Sequence, residues 1–178
     1  MELRLETDRL FLRLFEASDA ESVQTLAGDA EVARTTLAIP HPYPDGAAEA
    51  WIERIRTAYQ EGKIYSLAIV PKESGSVIGC VTLRVSKSDN KGDLAYWVGR
   101  PFWGQGYATE AAKALLKFGF EDLNLNRVVA AAMTNNPASY TVMQKIGMKR
   151  EDNEPKQILK DGVYEDLVHY GLFRSDAK

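Results

Sequence analysis

Gly104, Gly106 and Ala108 occupy alternate positions in the stretch Trp103-Gly104-Gln105-Gly106-Tyr107-Ala108-Thr109. Small residues so spaced let backbone N–H groups crowd toward one point with no side chains in the way. An apolar run ending in Trp97 and Val98 precedes them and a helical pattern follows, so the segment reads as strand, tight turn and helix start. The N–H groups that open a helix have no partner within it, and the helix dipole favours negative charge beside them. The turn from Gly104 to Thr109 is therefore a candidate seat for a pyrophosphate. A second polar set, Asn136 and Ser139, opens a later helix at Asn136-Pro137-Ala138-Ser139. Taken alone, these two read as capping residues.

Several elements must position these groups. Leu10, Leu12 and Leu14 alternate with Phe11 and Arg13, which gives a strand over 9–15. Ser18-Asp19-Ala20-Glu21 is a capping-box pattern for a short helix that Gly28 can end. Three prolines between Ile39 and Tyr43-Pro44 make an extended loop around His41. Asp45 then reads as the cap of a helix whose face is Ala48, Trp51, Ile52, Ile55 and Tyr59. Residues 64–70 and 77–84 form a hairpin, and 93–98 a strand leading into the glycine turn. A helix over 106–123 faces inward with Ala108, Ala111, Ala112, Leu115, Leu116 and Phe120. Residues 127–133 are a buried strand, 136–147 a helix ended by Gly147, and 148–151 and 164–173 two last strands. Strands and helices mix throughout, which predicts one α/β (mixed α+β) domain over residues 1–178.

Composition narrows the function. Hydrophobic residues make up 45% of the chain, enough for a real core, and the net charge is -3. With no basic excess, a nucleic-acid surface is not expected, and an anionic ligand must be held by local amides. One cysteine, Cys80, and two histidines, His41 and His169, exclude an internal disulfide and argue against a metal centre. The first residues lack an apolar signal core and no run is long enough to span a membrane, so the cytoplasm is the expected address. Cys80 lies inside a strand and reads as a buried thiol rather than a nucleophile.

Three kinds of protein own such a turn. A P-loop needs a lysine after its last glycine, which is absent here. A dinucleotide fingerprint needs a third small residue where Thr109 stands, and an acid after the next strand, which ends Ala130-Ala131-Ala132-Met133. The third owner is the GNAT acetyltransferase superfamily, which the order of elements and Trp103-Gly104-Gln105-Gly106-Tyr107-Ala108 both resemble. Asn136-Pro137-Ala138-Ser139 followed by Lys145-Ile146-Gly147-Met148 agrees, as do Pro40-His41-Pro42-Tyr43 and Asp161-Gly162-Val163-Tyr164-Glu165-Asp166. Together they look like the branch that contains ribosomal-protein N-terminal alanine and serine acetyltransferases, over about residues 8 to 173.

The resemblance implies a central twisted mixed sheet, splayed at the middle, with helices on both faces and acetyl-CoA lying in the splay. By it, the amides of Gly104, Gln105, Gly106, Tyr107, Ala108 and Thr109 hold the CoA pyrophosphate. The strand from Asp93 to Val98 runs along the pantetheine, with Trp97 and Val98 as contacts, and Asn136 contacts that arm. Trp103 stands where the superfamily usually has Arg or Gln, and an aromatic there marks this branch. The acceptor is a primary amine, first of all a protein N-terminus. The alternatives are a small amine (polyamine, amino acid or drug) or a low-turnover acyl-CoA sensor. Either a monomer or a homodimer is compatible.

The chemistry needs a neutral amine, a stabilised oxyanion and a protonated leaving thiolate. An N-terminal amine, with a pKa near 8, is roughly one-tenth neutral at pH 7, whereas a lysine is neutral only to about 0.04%. The Val98 amide is the natural oxyanion donor. Many superfamily members carry a Tyr acid where this chain has Met143, so the family position leaves Ser139 as the candidate acid. Tyr140 projects about 100° away from it on the helix. Candidate bases are Asp93, where this branch often has a strand carboxylate, and His41, since histidine titrates near neutrality.

Overall fold

The computed structural model describes residues 2–177, with the backbone alone at 152–156. Strands β1 (Arg4–Glu6) and β2 (Leu10–Leu14) lead through a 3-10 turn (Ala17–Asp19) into α1 (Ala20–Ala27), α2 (Ala30–Thr35) and α3 (Ala47–Gln60). Then follow β3 (Ile64–Pro71), β4 (Gly79–Ser86), β5 (Lys91–Val98), α4 (Tyr107–Glu121), β6 (Arg127–Met133), α5 (Pro137–Lys145), β7 (Lys149–Lys160) and β8 (Val163–Phe173). The strands form one eight-stranded sheet in the order β1-β2-β3-β4-β5-β6-β8-β7.

Neighbours in this sheet are antiparallel except β5 and β6. Their parallel ladder holds only Lys91↔Arg127, Gly92↔Val128 and Asp93↔Val129. Beyond Asp93 the two strands part, and the sheet is splayed at its middle, as expected. Strand alternation sends Leu94 and Tyr96 to one face and Asp93, Ala95 and Trp97 to the other. On the first face Leu12, Leu67, Ile69, Val81, Leu83 and Leu94 pack against Ala111, Ala112, Leu115 and Phe120 of α4 and Met143 of α5. On the second, Phe15, Ala68, Val70 and Cys80 pack against Val23 of α1 and Ala48, Ile52 and Ile55 of α3. Helices therefore cover both faces, and burying these apolar stripes is the main source of stability.

Local readings shift at four places. The first capping box is Glu16 with Asp19, not Ser18 with Glu21. Asp19 accepts from the Glu16 N–H (2.8 Å) and pairs with Arg13 (2.8 Å), which fixes the turn before α1 begins. Asp45 is not the cap of α3; Gly46, at φ +80°, takes that position. The short elements β1 and α2 leave no pattern in the sequence, because three and six residues carry too little periodicity. Finally, β7 runs on to Lys160, although Pro155 lies within it. It is an edge strand and its register shifts between Glu151 and Lys156, and an edge with a bulge is where a sheet tolerates proline.

Candidate active site

The parting of β5 and β6 leaves a cavity of about 400 Å³ bounded by the end of β5, the glycine turn and α5. The expected ligand-contact residues Trp97, Val98, Trp103, Gly104, Gly106, Tyr107, Ala108, Thr109, Asn136 and Ser139 all line it. Among the described residues no carboxylate lines it, and Lys145, at the end of α5, is a charged residue of the wall.

The glycine turn behaves as its spacing predicts. Gly106, at φ +80°, is the N-cap of α4, a conformation that only glycine adopts without strain. The first α4 hydrogen bond runs from Glu110 N–H to Gly106 O (3.1 Å). The N–H groups of Tyr107, Ala108 and Thr109 precede it and have no partner within the helix. Trp103 folds back so that its Nε1–H donates to Val98 O (2.7 Å), joining the turn to the strand end. Gln105 stands apart from the other turn residues. It does not line the cavity; its side chain donates to Pro101 O (3.4 Å) and its carbonyl accepts from Arg9.

The opposite wall is α5. Ala138, Thr141, Val142 and Lys145 line the cavity at helical spacing, one face of the helix. The side chain of Asn136 makes no cap; its Nδ2–H donates to Thr35 O at the end of α2 (3.0 Å). Thr35 and Thr36 thereby become part of the wall. Lys160, in the β7–β8 hairpin, donates to the carbonyls of Ala33, Arg34 and Thr36, so the same helix end is held from both sides. Burial holds the Lys160 amine below its usual range.

Tyr96 is the residue that sequence reasoning passed over. Its O–H donates to Ser139 O (2.6 Å), and Ser139 Oγ donates to the Tyr96 oxygen (3.3 Å). The phenol thus bridges the parted β5 to the first turn of α5. Burial pushes Tyr96 up to about 12, so it stays protonated across the physiological range. A tyrosine on the Leu94 face of a strand that faces α4 was the available signal. Tyr140, one residue beyond Ser139, stacks on Tyr170 at 6.4 Å.

The two candidate bases lie elsewhere. Asp93 is the last β5 residue paired with β6, at the foot of the splay, and does not line the cavity. Burial raises its carboxyl, opposed by Arg84, Lys91 and His169. His41 sits in the proline loop before α3, also outside the lining. Cys80 is buried and its thiol is pushed up to about 12, which leaves it unreactive as a nucleophile.

A splayed mixed sheet with an amide-rich turn facing a serine-bearing helix defines a class of acyl-transfer proteins. The acetyltransferase (GNAT) domain model matches residues 9–149, and the chain belongs to that family. It is similar over 98% of its length to an uncharacterized N-acetyltransferase of Bacillus subtilis, YnaD, at 28% identity and 99% coverage of that protein. It is 24% identical to the [ribosomal protein uS5]-alanine N-acetyltransferase of Escherichia coli over 98% of this chain and 92% of that one. The crystal structure of a GNAT-family acetyltransferase from Bacillus anthracis shares the fold with a TM-score of 0.86. That match covers 97% of this chain and 99% of the other at 24% identity. The protein is accordingly an acyltransferase. Among the described residues no helix is long and apolar enough to cross a membrane.

Proposed function

We propose that this chain takes the acetyl group from acetyl-CoA and transfers it to the N-terminal amine of a protein, without a covalent acetyl-enzyme. The observation that carries this reading is the cavity in the splay, with unpaired α4 amides at one wall and the Ser139–Tyr96 pair at the other. The amides of Gly104, Gly106, Tyr107, Ala108 and Thr109 fit a pyrophosphate, since they meet it with dipole and N–H groups and, among the described residues, no carboxylate lines the cavity. Trp97 and Val98 flank the pantetheine arm, and Asn136, whose Oδ1 faces no described donor, is its polar contact.

In the reaction the amine nitrogen attacks the thioester carbonyl carbon. A C–N bond forms, the C–S bond breaks, and the Val98 amide steadies the intermediate oxygen. Ser139 Oγ–H protonates the leaving thiolate and regains its proton from the water that receives the amine proton, and Tyr96 holds that hydroxyl and its backbone in place. The amine loses its proton to water, because Asp93 and His41 stand outside the cavity. An N-terminal amine suits this arrangement, being already partly neutral at pH 7, whereas a lysine needs a strong base. The similarity to the uS5-alanine enzyme supports a ribosomal protein as acceptor and a cytoplasmic site of action.

The test is release of CoA thiol from acetyl-CoA with peptides starting in Ala or Ser, lysine peptides, polyamines and amino acids. Turnover confined to the N-terminal peptides supports the proposal. Turnover with a small amine alone would replace the acceptor, and binding of acetyl-CoA without turnover on any acceptor would make the protein a sensor.

A further inference from the structure

Arg9 lies in the turn between β1 and β2, almost a hundred residues from the glycine turn, yet it is joined to that turn at three points. Its Nη1–H donates to Gln105 O (2.9 Å). Its Nε–H donates to Glu110 Oε2 (2.7 Å), and its backbone N–H to Glu110 Oε1 (2.8 Å). Its guanidinium carbon stands 4.5 Å over the ring of Tyr107. Thr7 adds a further link, its hydroxyl donating to Glu110 Oε1 (2.6 Å). Burial alone would raise the Glu110 carboxyl, but the bonds from Thr7 and Arg9 outweigh it and hold the group ionised, below its usual range.

The consequence is geometric. A trans peptide holds its C=O and N–H on opposite sides of one plane. The Gln105–Gly106 carbonyl is drawn toward Arg9, so the Gly106 N–H is turned the other way. Gly106 lines the cavity, whereas Arg9 and Gln105 do not. A Cβ on Gly106 would stand 3.4 Å from Arg9 Nη2, so the guanidinium also occupies the space behind the turn. Glu110 stands in the first turn of α4, where an ionised carboxylate is drawn toward the positive end of the helix and its amides. Held by Arg9 and Thr7, it leaves those amides open.

We infer that Arg9 is a positioning residue for the anion seat: with Glu110 as its anchor, it presets the Gln105–Gly106 peptide so that the turn's amides converge before the ligand arrives. This rests on the proposed CoA site. Arg9 acts through the backbone and does not itself touch the pyrophosphate. Lysine cannot replace it, because one ammonium cannot span Glu110 and Gln105 O in the planar fork that arginine offers.

The test compares CoA with pantetheine, which lacks the pyrophosphate, by calorimetric titration of the wild type and the Arg9→Lys and Arg9→Gln variants. The expected result is CoA affinity weakened roughly tenfold in both variants, with pantetheine affinity unchanged. Arg9→Lys is expected to keep the wild-type melting temperature, so the loss is not one of folding. In amide spectra the Gly106 resonance should move in both variants without ligand. Equal losses for CoA and pantetheine, or full CoA affinity in Arg9→Lys, would overturn the role of Arg9. A wild type that binds CoA no better than pantetheine would instead overturn the anion seat, and the role of Arg9 with it.

Discussion

The two halves of this molecule that meet at the splay are built on different principles. The donor half, from the end of β5 through α4 to α5, works mainly with backbone: amides that a helix start leaves unpaired, and a strand edge that a parting ladder leaves open. The half that we assign to the acceptor, the 36–46 loop and the β7–β8 hairpin, works with side chains. Lys160 and Asn136 pin α2, while Tyr164 and Leu159 stand 68% and 60% exposed at the hairpin. Backbone recognition demands particular residue types at particular spacings, because few residues permit the required conformation. Side-chain recognition on loops leaves many solutions open. On the proposed function, the donor is served by the constrained half and the acceptor by the half with more side-chain freedom.

The sharpest way to break this comparison is Gly106→Val. A β-branched residue at φ +80° carries a strain of about 1–3 kcal/mol and pushes on Arg9. The expectation is loss of CoA affinity by roughly a hundredfold, read by calorimetry. Retained affinity would mean that the amides of the turn are not the seat. Ser139→Ala comes next, with kcat reduced roughly ten- to a hundredfold and CoA affinity unchanged. An unchanged kcat would remove Ser139 as the acid.

Tyr96→Phe should lower kcat by about fivefold, the worth of one positioned hydrogen bond, and it also has a signature in stability. Tyr96 is raised to about 12 in the fold from an ordinary value near 10, so it keeps its proton in the native state after the unfolded chain has lost its own. That contribution is whole below pH 10 and is lost as pH rises through 12. Cys80, raised from 9 to about 12, adds a loss of the same sign that begins near pH 9. Chemical denaturation from pH 9 to 12 should show a smaller alkaline decline in Tyr96→Phe than in the wild type. An identical decline would contradict the burial of the phenol.

Smaller effects probe the acceptor half. Lys160→Met should raise the acceptor KM about threefold, as expected for a partly exposed tie to the end of α2, and leave CoA affinity alone. Weakened CoA binding instead would show that α2 serves the donor. Asp93→Asn should raise the melting temperature at pH 7 by about a degree. Burial raises the Asp93 carboxyl, so its ionisation is a cost to the fold that appears as pH rises through its native pKa. Turnover should change less than about twofold. A large fall in kcat would put the base at the foot of the splay.

How much of this was legible in the sequence follows the same division. The strand–turn–helix from Asp93 to Phe120 and the Asn136–Pro137 helix start can be read from spacing alone, because glycine, proline and the 3.6-residue period act locally. Tyr96 could not be assigned a partner, since Ser139 is brought to it only by the crossover through α4 and β6. The Arg9–Glu110 link has no local signal either; Arg9 reads simply as the polar phase of an alternating strand. Asn136 looks like a cap and is used as a tie to Thr35, because a six-residue helix that periodicity does not show, α2, ends beside it. Asp93 is a candidate by its place in the branch and His41 by its chemistry and its loop, and neither criterion gives a distance from the splay.

The central claim is that the amides of the glycine turn and the inward face of α5 form one donor site. The direct measurement is backbone amide NMR of the full chain titrated with CoA. The account predicts the largest shifts at Gly104, Gly106, Tyr107, Ala108 and Thr109, with a second set at Asn136, Ser139 and Thr141, and little change at His41 or along β1. Shifts centred on the proline loop or spread over the α1–α3 face, with the glycine turn silent, would contradict it.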